Sequence, residues 1–277
     1  MLEDAERGSL TAPVAPAPRK IRLFGLDFDD LTQVGLVDRL GEAIRERRSC
    51  WVVTVNVNLL CIAERDPGIR KLIGRANVIA ADGMPIVWMS RLKGRPLQAR
   101  VTGSDLLPLL AVRAAAARWR LFLCGGAPGV AERVAERLGQ LAPGLQVVGT
   151  ASPTFASDAV VTEPSANQQL IAAIRAAEPD VLIVALGSPK QERWIRHHFD
   201  TRALAVPVAV GVGASLDFLA GTQHRAPAWM RRSGLEWVHR ALTQPKRLGP
   251  RYARDALTFA RVAGRELLRP RATRVAS

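Results

Sequence analysis

Short apolar runs rich in branched residues recur along this chain, and helical patterns separate them. Val181–Leu186 is the clearest run, because it has no polar residue and is typical of a strand buried on both faces of a sheet. Further strands are predicted at Ile21–Phe24, Trp51–Val55, Val78–Ala81, Leu121–Cys124, Gln146–Val148 and Val206–Val212. Helices are predicted from near Asp30 and at Leu59–Ile73, Leu106–Arg118, Val130–Leu141, Gln168–Ala177 and Gln191–His198. This alternation predicts an α/β fold with a mostly parallel, Rossmann-like sheet flanked by helices.

The positive charge of the chain is concentrated near its end. The formal net charge is +14, and residues 225–277 contain thirteen Lys or Arg against three acids. Such a charge implies an anionic partner, whether nucleic acid, acidic lipid or a phosphorylated substrate. Trp229, Trp237, Tyr252 and Phe259 are interleaved with these cations, which favours a basic helical appendage that contacts an anionic membrane surface.

These patterns divide the chain into three parts. Residues 1–20 are a disordered lead-in, 21–220 an α/β catalytic domain, and 221–277 a basic, membrane-associating helical appendage. A solvated helical face is the alternative for the last part. Apolar surface beneath a mobile appendage could also be buried in a homo-oligomer.

Cysteine usage and hydropathy bear on location. The three cysteines, Cys50, Cys61 and Cys124, lie far apart without metal-ligand spacing, which fits buried thiols in a reducing compartment. No apolar run reaches the roughly 18 residues that span a bilayer. No apolar signal-peptide core is seen near the start. We therefore expect a cytoplasmic protein, which leaves attachment to the inner membrane face open.

Polar or glycine-rich clusters follow five of the predicted strands. They are Thr54–Asn56, Ala81–Gly83, Cys124–Gly126, Gly187–Glu192 and Gly211–Asp217. Because the carboxyl ends of parallel strands meet at one edge, where open α/β sheets bind ligands, we expect these clusters to converge there. Each cluster taken alone is also compatible with an ordinary loop.

Asp82 and the glycine loop have both functional and structural interpretations. Asp82 suits a general base, but it could equally cap a helix that starts near Pro85. Gly125 and Gly126 begin a candidate phosphate cradle, since glycine lets the backbone approach an anion at a helix N-terminus. The G-x-G-x-x-G spacing is absent, which disfavours a nicotinamide dehydrogenase.

The acidic run Asp27–Asp30 resembles a carboxylate pair for a divalent metal. Its place before a predicted helix favours capping by Asp29 or Asp30 instead. The four histidines lack ligand spacing. We predict no metal site and no cofactor.

In order and content, six segments resemble the WecG/TagA/CpsF glycosyltransferase family. They are VVTVNVNLL (52–60), NVIAADGMPIVW (77–88), RVTGSDLLPLL (100–110), LFLCGGAPGVAERVAERL (121–138), PDVLIVALGSPKQERWI (179–195) and GVGASLDFLAGTQHRAPAWMRRSGLEWVHRALTQPKRLGPRY (211–252). The resemblance implies an inverting, metal-independent enzyme at the inner face of the cytoplasmic membrane. It would transfer a sugar from a UDP-sugar donor to a polyprenyl-diphosphate-linked saccharide in cell-surface polysaccharide synthesis. N-acetylmannosamine, its uronic acid and glucose all remain open as the sugar.

The resemblance also implies roles for individual residues. Asp82 would be the general base, with Thr54 beside the reacting centre and Asn56 as a neighbour. Arg100 and Gln191 would lie around a substrate diphosphate. Basic residues of the appendage would close over the site and neutralise the leaving diphosphate: Arg240, Arg247 and Arg251.

Two other functions compete with this interpretation. A nucleic-acid-binding protein would explain the charge, but no HTH, RRM, OB or zinc module is present, so nucleic acid is not the expected partner. A Rossmann-type enzyme that modifies nucleotide sugars lacks both its fingerprint and a Tyr-x-x-x-Lys pair, since Tyr252 is the only tyrosine.

Overall fold

A computed structural model describes residues 18–155, 157, 160–227, 229–230, 233, 236–243 and 245–269. The strands are β1 Lys20–Leu23, β2 Leu26–Asp29, β3 Cys50–Val55, β4 Val78–Ala81, β5 Arg120–Gly125, β6 Gln146–Ala151, β7 Val181–Ala185 and β8 Val208–Gly211. The first helices are α1 Gln33–Arg45, α2 Val57–Arg65, α3 Pro67–Ile73, α4 Met84–Leu92 and α5 Gly103–Ala117. They are followed by α6 Val130–Leu141, α7 Pro164–Ala177, α8 Lys190–Asp200, α9 Ser215–Ala220, α10 Glu236–Thr243 and α11 Pro245–Leu268. Nearly all of the predicted lead-in, and the residues after 269, lie outside the described residues.

Six strands form one parallel sheet in the order β4-β3-β8-β7-β5-β6, which confirms the predicted fold class. Alternate residues of the central strands face opposite sides. In β3, Trp51 and Val53 join a core with α2, α3, α4, α7 and α8, whereas Cys50 and Val52 join a core with α1, α5, α6 and α9. We call these the α4 face and the α5 face of the sheet. The two-residue period of a strand therefore accounts for the continuous apolar runs.

The predicted strand Ile21–Phe24 is part of a hairpin and does not join the parallel sheet. β1 pairs with β2 in antiparallel register, and the turn residues Phe24 and Gly25 have φ angles of 55° and 78°. Two consecutive positive φ angles define the tight hairpin turn whose usual sequence is Asn-Gly. This chain has Phe-Gly at the turn, so the sequence does not indicate a hairpin. The Phe24 ring is buried, and its centroid lies 6.0 Å from that of Phe259 in α11, which offsets the backbone strain.

The predicted capping of the first helix by Asp29 or Asp30 is wrong. Thr32 caps α1, and its side chain accepts a hydrogen bond from the Gly35 N–H. Asp29 Oδ2 instead accepts from Ile79 N of β4 at 2.8 Å, and Asp30 Oδ1 accepts from Gln98 N at 2.7 Å. Asp29 therefore attaches the hairpin to the sheet, and Asp30 attaches the residue after β2 to the loop between α4 and α5.

The predicted helix Leu59–Ile73 is two helices. Asp66 ends α2 and caps α3, accepting from Gly68 N at 2.8 Å. Pro67, which has no N–H to donate, occupies the first turn of α3. The break turns the chain between the two short helices.

The three cysteines are free and buried, as predicted. Burial raises the pKa of the Cys50 thiol to about 11 and those of Cys61 and Cys124 to about 12. Protonated thiols of this kind are inert. Among the described residues, no helix combines the length and the hydrophobicity that crossing a membrane requires.

The C-terminal helices are present and α11 packs on the α4 face. Val262 is buried there, and the Cys61 thiol donates to the Asp255 carbonyl at 3.4 Å. Arg65 lies 3.6 Å from the Asp255 carboxylate, and Arg265 pairs with Glu64. The basic helix is thus attached to α2 by apolar contacts and ion pairs together.

The buried His198 of α8 predicts a loss of stability in acid. Burial lowers its pKa from 6.5 to about 4, with the neighbouring His197 contributing. Above pH 6.5 it is neutral in both states. At lower pH the unfolded chain takes up the proton first, so the free energy of unfolding should fall between pH 6.5 and about 4 by roughly 1–3 kcal/mol.

Chemical denaturation across this pH range checks the effect, with His198→Leu as the test variant. The variant should lose part of the acid dependence, and its difference from the parent at pH 8 reports packing alone. An unchanged pH slope in the variant would contradict the assignment.

Candidate active site

Hydrogen bonds join neighbouring strand ends along the carboxyl edge of the sheet. The Thr54 hydroxyl of β3 donates to the Gly211 carbonyl of β8 at 3.0 Å. Asp82 N, just past β4, donates to Val55 O at 2.8 Å, and Gly126 N, past β5, donates to Ala185 O of β7 at 3.3 Å. The predicted convergence of the clusters at one edge therefore follows from the parallel pairing.

Asp82 and Thr54 lie at adjacent strand ends. Thr54 is buried, whereas Asp82 is half-buried and directly follows β4. The N-cap of α4 is Gly83, so Asp82 does not occupy the capping position that its sequence also suggested. Asn56 does cap a helix, since its Oδ1 accepts from Leu59 N of α2 at 3.0 Å. Thr54 and Asp82 thus lie at the same edge of the sheet. Asn56 lies next to them, directly after β3, where it caps α2.

Arg100 belongs to an ion-pair cluster that joins this edge to α10. It lies 3.3 Å from Asp105 and 3.5 Å from Glu236, and Arg225 lies 2.6 Å from the other oxygen of Asp105. Val101 N also donates to Ala81 O at 2.8 Å, which places the segment beside Asp82. We call Arg100, Asp105, Arg225 and Glu236 the joint cluster.

Asp105 remains ionised within the joint cluster. Burial alone would raise the pKa of its carboxyl, but hydrogen bonds from Arg225 and Thr102, with the nearby Arg100 charge, lower it overall. Sequence reasoning missed Asp105 as a functional candidate. The signal was the capping-box spacing Thr102-x-x-Asp105, and Thr102 does cap α5.

The glycines of this edge fall into two kinds. A Cβ on Gly125 would lie 2.4 Å from Ala185 O, and one on Gly126 would lie 2.7 Å from the Val130 side chain. Close packing therefore accounts for both predicted phosphate-cradle glycines. At Gly129, Gly187 and Gly213, a Cβ would meet nothing within 4 Å. These three carry positive φ and leave the adjacent backbone open to a ligand.

Gln191 is held within the wall of the edge. Its side chain is 1% exposed, its Oε1 accepts from Gly213 N at 3.0 Å, and its Nε2 donates to Glu192 Oε1 at 2.8 Å. Both amide atoms therefore have protein partners, and the contact of Oε1 ties α8 to the loop after β8. Gln191 lies in the predicted region, and its shown contacts are to the protein.

Glu192 is a buried carboxyl at this edge that sequence reasoning did not single out. Its Oε1 also accepts from the Ser188 hydroxyl at 3.1 Å, while its buried Oε2 has no hydrogen-bond partner among the described residues. Burial raises its pKa from 4.5 to about 7, although hydrogen bonds from Gln191, its own backbone N–H and Ser188 oppose this. Part of the Glu192 population is therefore protonated near neutral pH.

The predicted arginines of the appendage are described unequally. Arg240 and Arg247 fall in α10 and α11, but their side chains lie outside the described part of the structure. Arg251 is exposed, with its guanidinium 5.2 Å from the Tyr252 ring centre. Tyr252 in turn packs on Trp237 with ring centres 6.4 Å apart, which joins α10 to α11.

No group of three or more metal-ligating side chains is found within the described residues. Asp27, at the start of the acidic run, pairs with Arg22 at 2.6 Å. A cavity of about 410 Å³ does open beside the hairpin, lined in part by Lys20, Arg22, Arg70 and Lys71. Ala76 and Ile79 also line it, so it adjoins the amino half of β4, whereas Asp82 follows the carboxyl end.

Comparison with known proteins bears on this edge. The model of the glycosyl transferase WecG/TagA/CpsF family matches residues 21–273. The chain belongs to this family of glycosyltransferases. An N-acetylglucosaminyldiphosphoundecaprenol N-acetyl-beta-D-mannosaminyltransferase of Bacillus spizizenii is 34% identical over 226 residues, covering 80% of this chain and 82% of the relative. A protein of the same name from Staphylococcus aureus NCTC 8325 is 30% identical over 232 residues, covering 83% and 87%.

The buried carboxyl of Glu192 predicts that Glu192→Gln changes how stability depends on pH. Below pH 4.5 the carboxyl is protonated in both states. As the pH rises to about 7 the unfolded chain loses the proton first, so the parent enzyme loses stability that the variant retains. Relative to the parent, the variant should gain roughly 1–3 kcal/mol between pH 4 and pH 8.

Urea unfolding at both pH values measures this difference. Asp27→Asn, at an exposed ion pair, serves as the control and should show little change. If Glu192→Gln and the parent differ in free energy of unfolding by the same amount at both pH values, the carboxyl is not buried and partly protonated.

Proposed function

We propose that this glycosyltransferase moves a sugar from a UDP-sugar to a polyprenyl-diphosphate-linked N-acetylglucosamine, with inversion and without a metal ion. The acceptor is taken from the names of the relatives, which cover most of both chains. The same names make N-acetylmannosamine the first candidate for the sugar. Thr54 and Asp82 at adjacent ends of parallel strands are the observation that carries the proposal.

Asp82 is the proposed general base. The acceptor hydroxyl attacks the anomeric carbon on the side opposite to the UDP, its proton passes to Asp82, and the bond from carbon to the diphosphate oxygen breaks. The nearby carboxyl of Glu192 suits this role less well, because it is enclosed. Asp82 is half-buried and follows a strand end, where an acceptor can reach it.

The open backbone at Gly129, Gly187 and Gly213 is the proposed surface for the UDP-sugar. Thr54 lies beside the reacting centre, Asn56 is its neighbour, and Gln191 supports the wall from beneath through Gly213 N. Gly125 and Gly126 bring β5 and β7 close enough to form that wall. In this arrangement the open backbone of the loops contacts the UDP-sugar, and the buried side chains hold these loops in place.

Arginines are the proposed counter-charges for the departing diphosphate. Arg100 lies beside the end of β4, and Arg251 is exposed on α11; Arg240 and Arg247 extend the set on sequence grounds. Cationic and hydrogen-bonding groups can stabilise a leaving UDP in the absence of a metal. The joint cluster ties Arg100 to α10, so the appendage and the site are physically connected.

We further propose that the appendage contacts the inner membrane face, where a polyprenyl-linked acceptor resides. Trp237, Leu242, Leu257 and Leu268 expose large apolar side chains on its helices. Together with the excess of arginine, these side chains are typical of interfacial helices. The alternative, a nucleic-acid partner, would not account for the residues at the sheet edge. RNA or DNA binding that depends steeply on salt, without UDP-sugar binding, would favour this alternative.

A donor panel tests this function. Purified enzyme is given UDP-N-acetylmannosamine, its uronic acid analogue and UDP-glucose, each with a lipid-diphosphate N-acetylglucosamine acceptor and a chelator. Transfer from one UDP-sugar with the chelator present, with an inverted anomeric configuration by NMR, is the expected result. Transfer that requires added divalent metal, or that retains the configuration, would contradict the corresponding part.

Asp82→Asn should lower kcat by about 10²–10⁴-fold, because the amide cannot accept the hydroxyl proton. The thermal midpoint should remain close to that of the parent, since the substitution keeps the shape of the side chain. Asp27→Asn is the matched control and should keep full activity. Wild-type turnover by Asp82→Asn would remove Asp82 from the mechanism.

A further inference from the structure

Large exposed apolar side chains are distributed unevenly over the two faces of the sheet. The α5 face exposes Val34, Val112 and Leu141 on three separate helices. On the α4 face, exposed members lie on α4 itself and on the packed helix α11: Trp88, Leu92, Leu257, Leu267 and Leu268. The α4 face therefore carries the larger share of these side chains, including Trp88.

Trp88 and Leu92 share one side of α4. They are four residues apart, which is about one helical turn, and are 40% and 63% exposed. Ile86, Val87 and Met89 occupy the opposite side and enter the core. The helix therefore carries two large apolar residues on its outer side, where an amphipathic helix would have polar residues.

The charge next to these residues has one sign. Arg91, Lys93 and Arg95 lie in residues 84–99, and that segment contains no acid. The α5 face differs, since α6 alternates Glu132 and Glu136 with Arg133 and Arg137. Two apolar side chains whose own segment of the chain contains cations and no acid complement an anionic lipid surface better than a neutral one.

The end of α4 is also joined to the end of α11. Lys93 Nζ donates to the Arg269 carbonyl at 2.7 Å, just past the exposed Leu267 and Leu268. The apolar and basic features of the two helices are thus continuous. Because the two helix ends are joined, a membrane surface that contacts α11 also lies close to α4.

We infer that α4 is a second membrane-contacting element, which inserts Trp88 and Leu92 among anionic lipids beside α11. The inference rests on the membrane contact in the proposed function and adds a site outside the appendage. α4 begins two residues after Asp82, and Trp88 lies about 6 Å along its axis from Met84. Lipid contact by α4 brings the edge that carries Asp82 close to the surface from which an acceptor diphosphate projects.

Vesicle sedimentation of the full chain tests this surface. The probes are vesicles containing phosphatidylglycerol and vesicles of phosphatidylcholine alone. Trp88→Gln combined with Leu92→Gln should weaken binding to the anionic vesicles by about tenfold, because two interfacial apolar side chains are lost. Val112→Gln combined with Leu141→Gln, on the α5 face, is the matched control and should leave binding within about twofold of the parent.

The outcomes separate this inference from the proposed activity, since sedimentation needs no sugar donor. Equal binding by the Trp88/Leu92 variant and the parent overturns the inference, as does an equal loss in the control pair. Sedimentation velocity is measured alongside: a change in self-association with unchanged vesicle binding would assign the surface to a second copy and also overturn it. Thermal midpoints of all variants identify any loss of fold, and Arg91→Glu, which replaces an exposed cation, should weaken anionic binding independently.

Transfer to a water-soluble acceptor completes the test. The Trp88/Leu92 variant should keep kcat for such an acceptor while losing activity on acceptor embedded in vesicles. Equal loss on both acceptors would place these side chains in the reaction and overturn a lipid role.

Discussion

The hydrogen bond from the Thr54 hydroxyl to the Gly211 carbonyl joins the ends of two parallel strands, and the candidate site is arranged around it. Parallel pairing places each strand's carboxyl end at the same edge, so residues far apart in sequence become neighbours. Gln191 extends this connection by binding Gly213 N. Polar clusters that lie in five separate loops of the sequence are thereby joined into a single wall.

Support and ligand contact are divided among different residue types along this wall. Gln191 and Glu192 are buried and bonded to each other, whereas the glycines with open space lie at the surface of the same loops. Buried polar groups that are satisfied by protein partners hold loops in place. The exception is Glu192 Oε2, which has no hydrogen-bond partner in the part of the chain that the structure describes, and burial of that carboxyl costs stability as it ionises.

The appendage is attached at two places of different character. Near the site, the joint cluster connects Arg100 to Glu236 of α10 through partly buried charges. Away from the site, Phe259 of α11 packs against Phe24 in the turn of the hairpin. Part of the apolar surface of α11 faces the core, and most of its charged side chains face outward. A strongly basic segment can therefore pack against the domain and still present arginine to an anionic surface.

The sheet could be predicted from sequence because each central strand is an apolar run bounded by turn residues, as Val181–Leu186 shows. The hairpin could not, since Phe24 occupies a turn position that usually carries asparagine and is stabilised by a distant ring. The positions of Asp82 and Thr54 at neighbouring strand ends could be predicted, because each lies at the end of an apolar run. The joint cluster was missed because Asp105 and Arg225 meet only in the folded chain, and no local pattern indicates that Glu192 becomes buried.

Hydrogen exchange with and without UDP tests the central claim, that the carboxyl edge of the sheet is the donor site. The account predicts that UDP slows amide exchange in the loops after β3, β4, β5, β7 and β8, around residues 54–58, 82–84, 125–130, 187–192 and 211–215. Protection confined to the basic cavity beside the hairpin, around Lys20 and Lys71, would contradict it. Absence of any protection at saturating UDP would do the same.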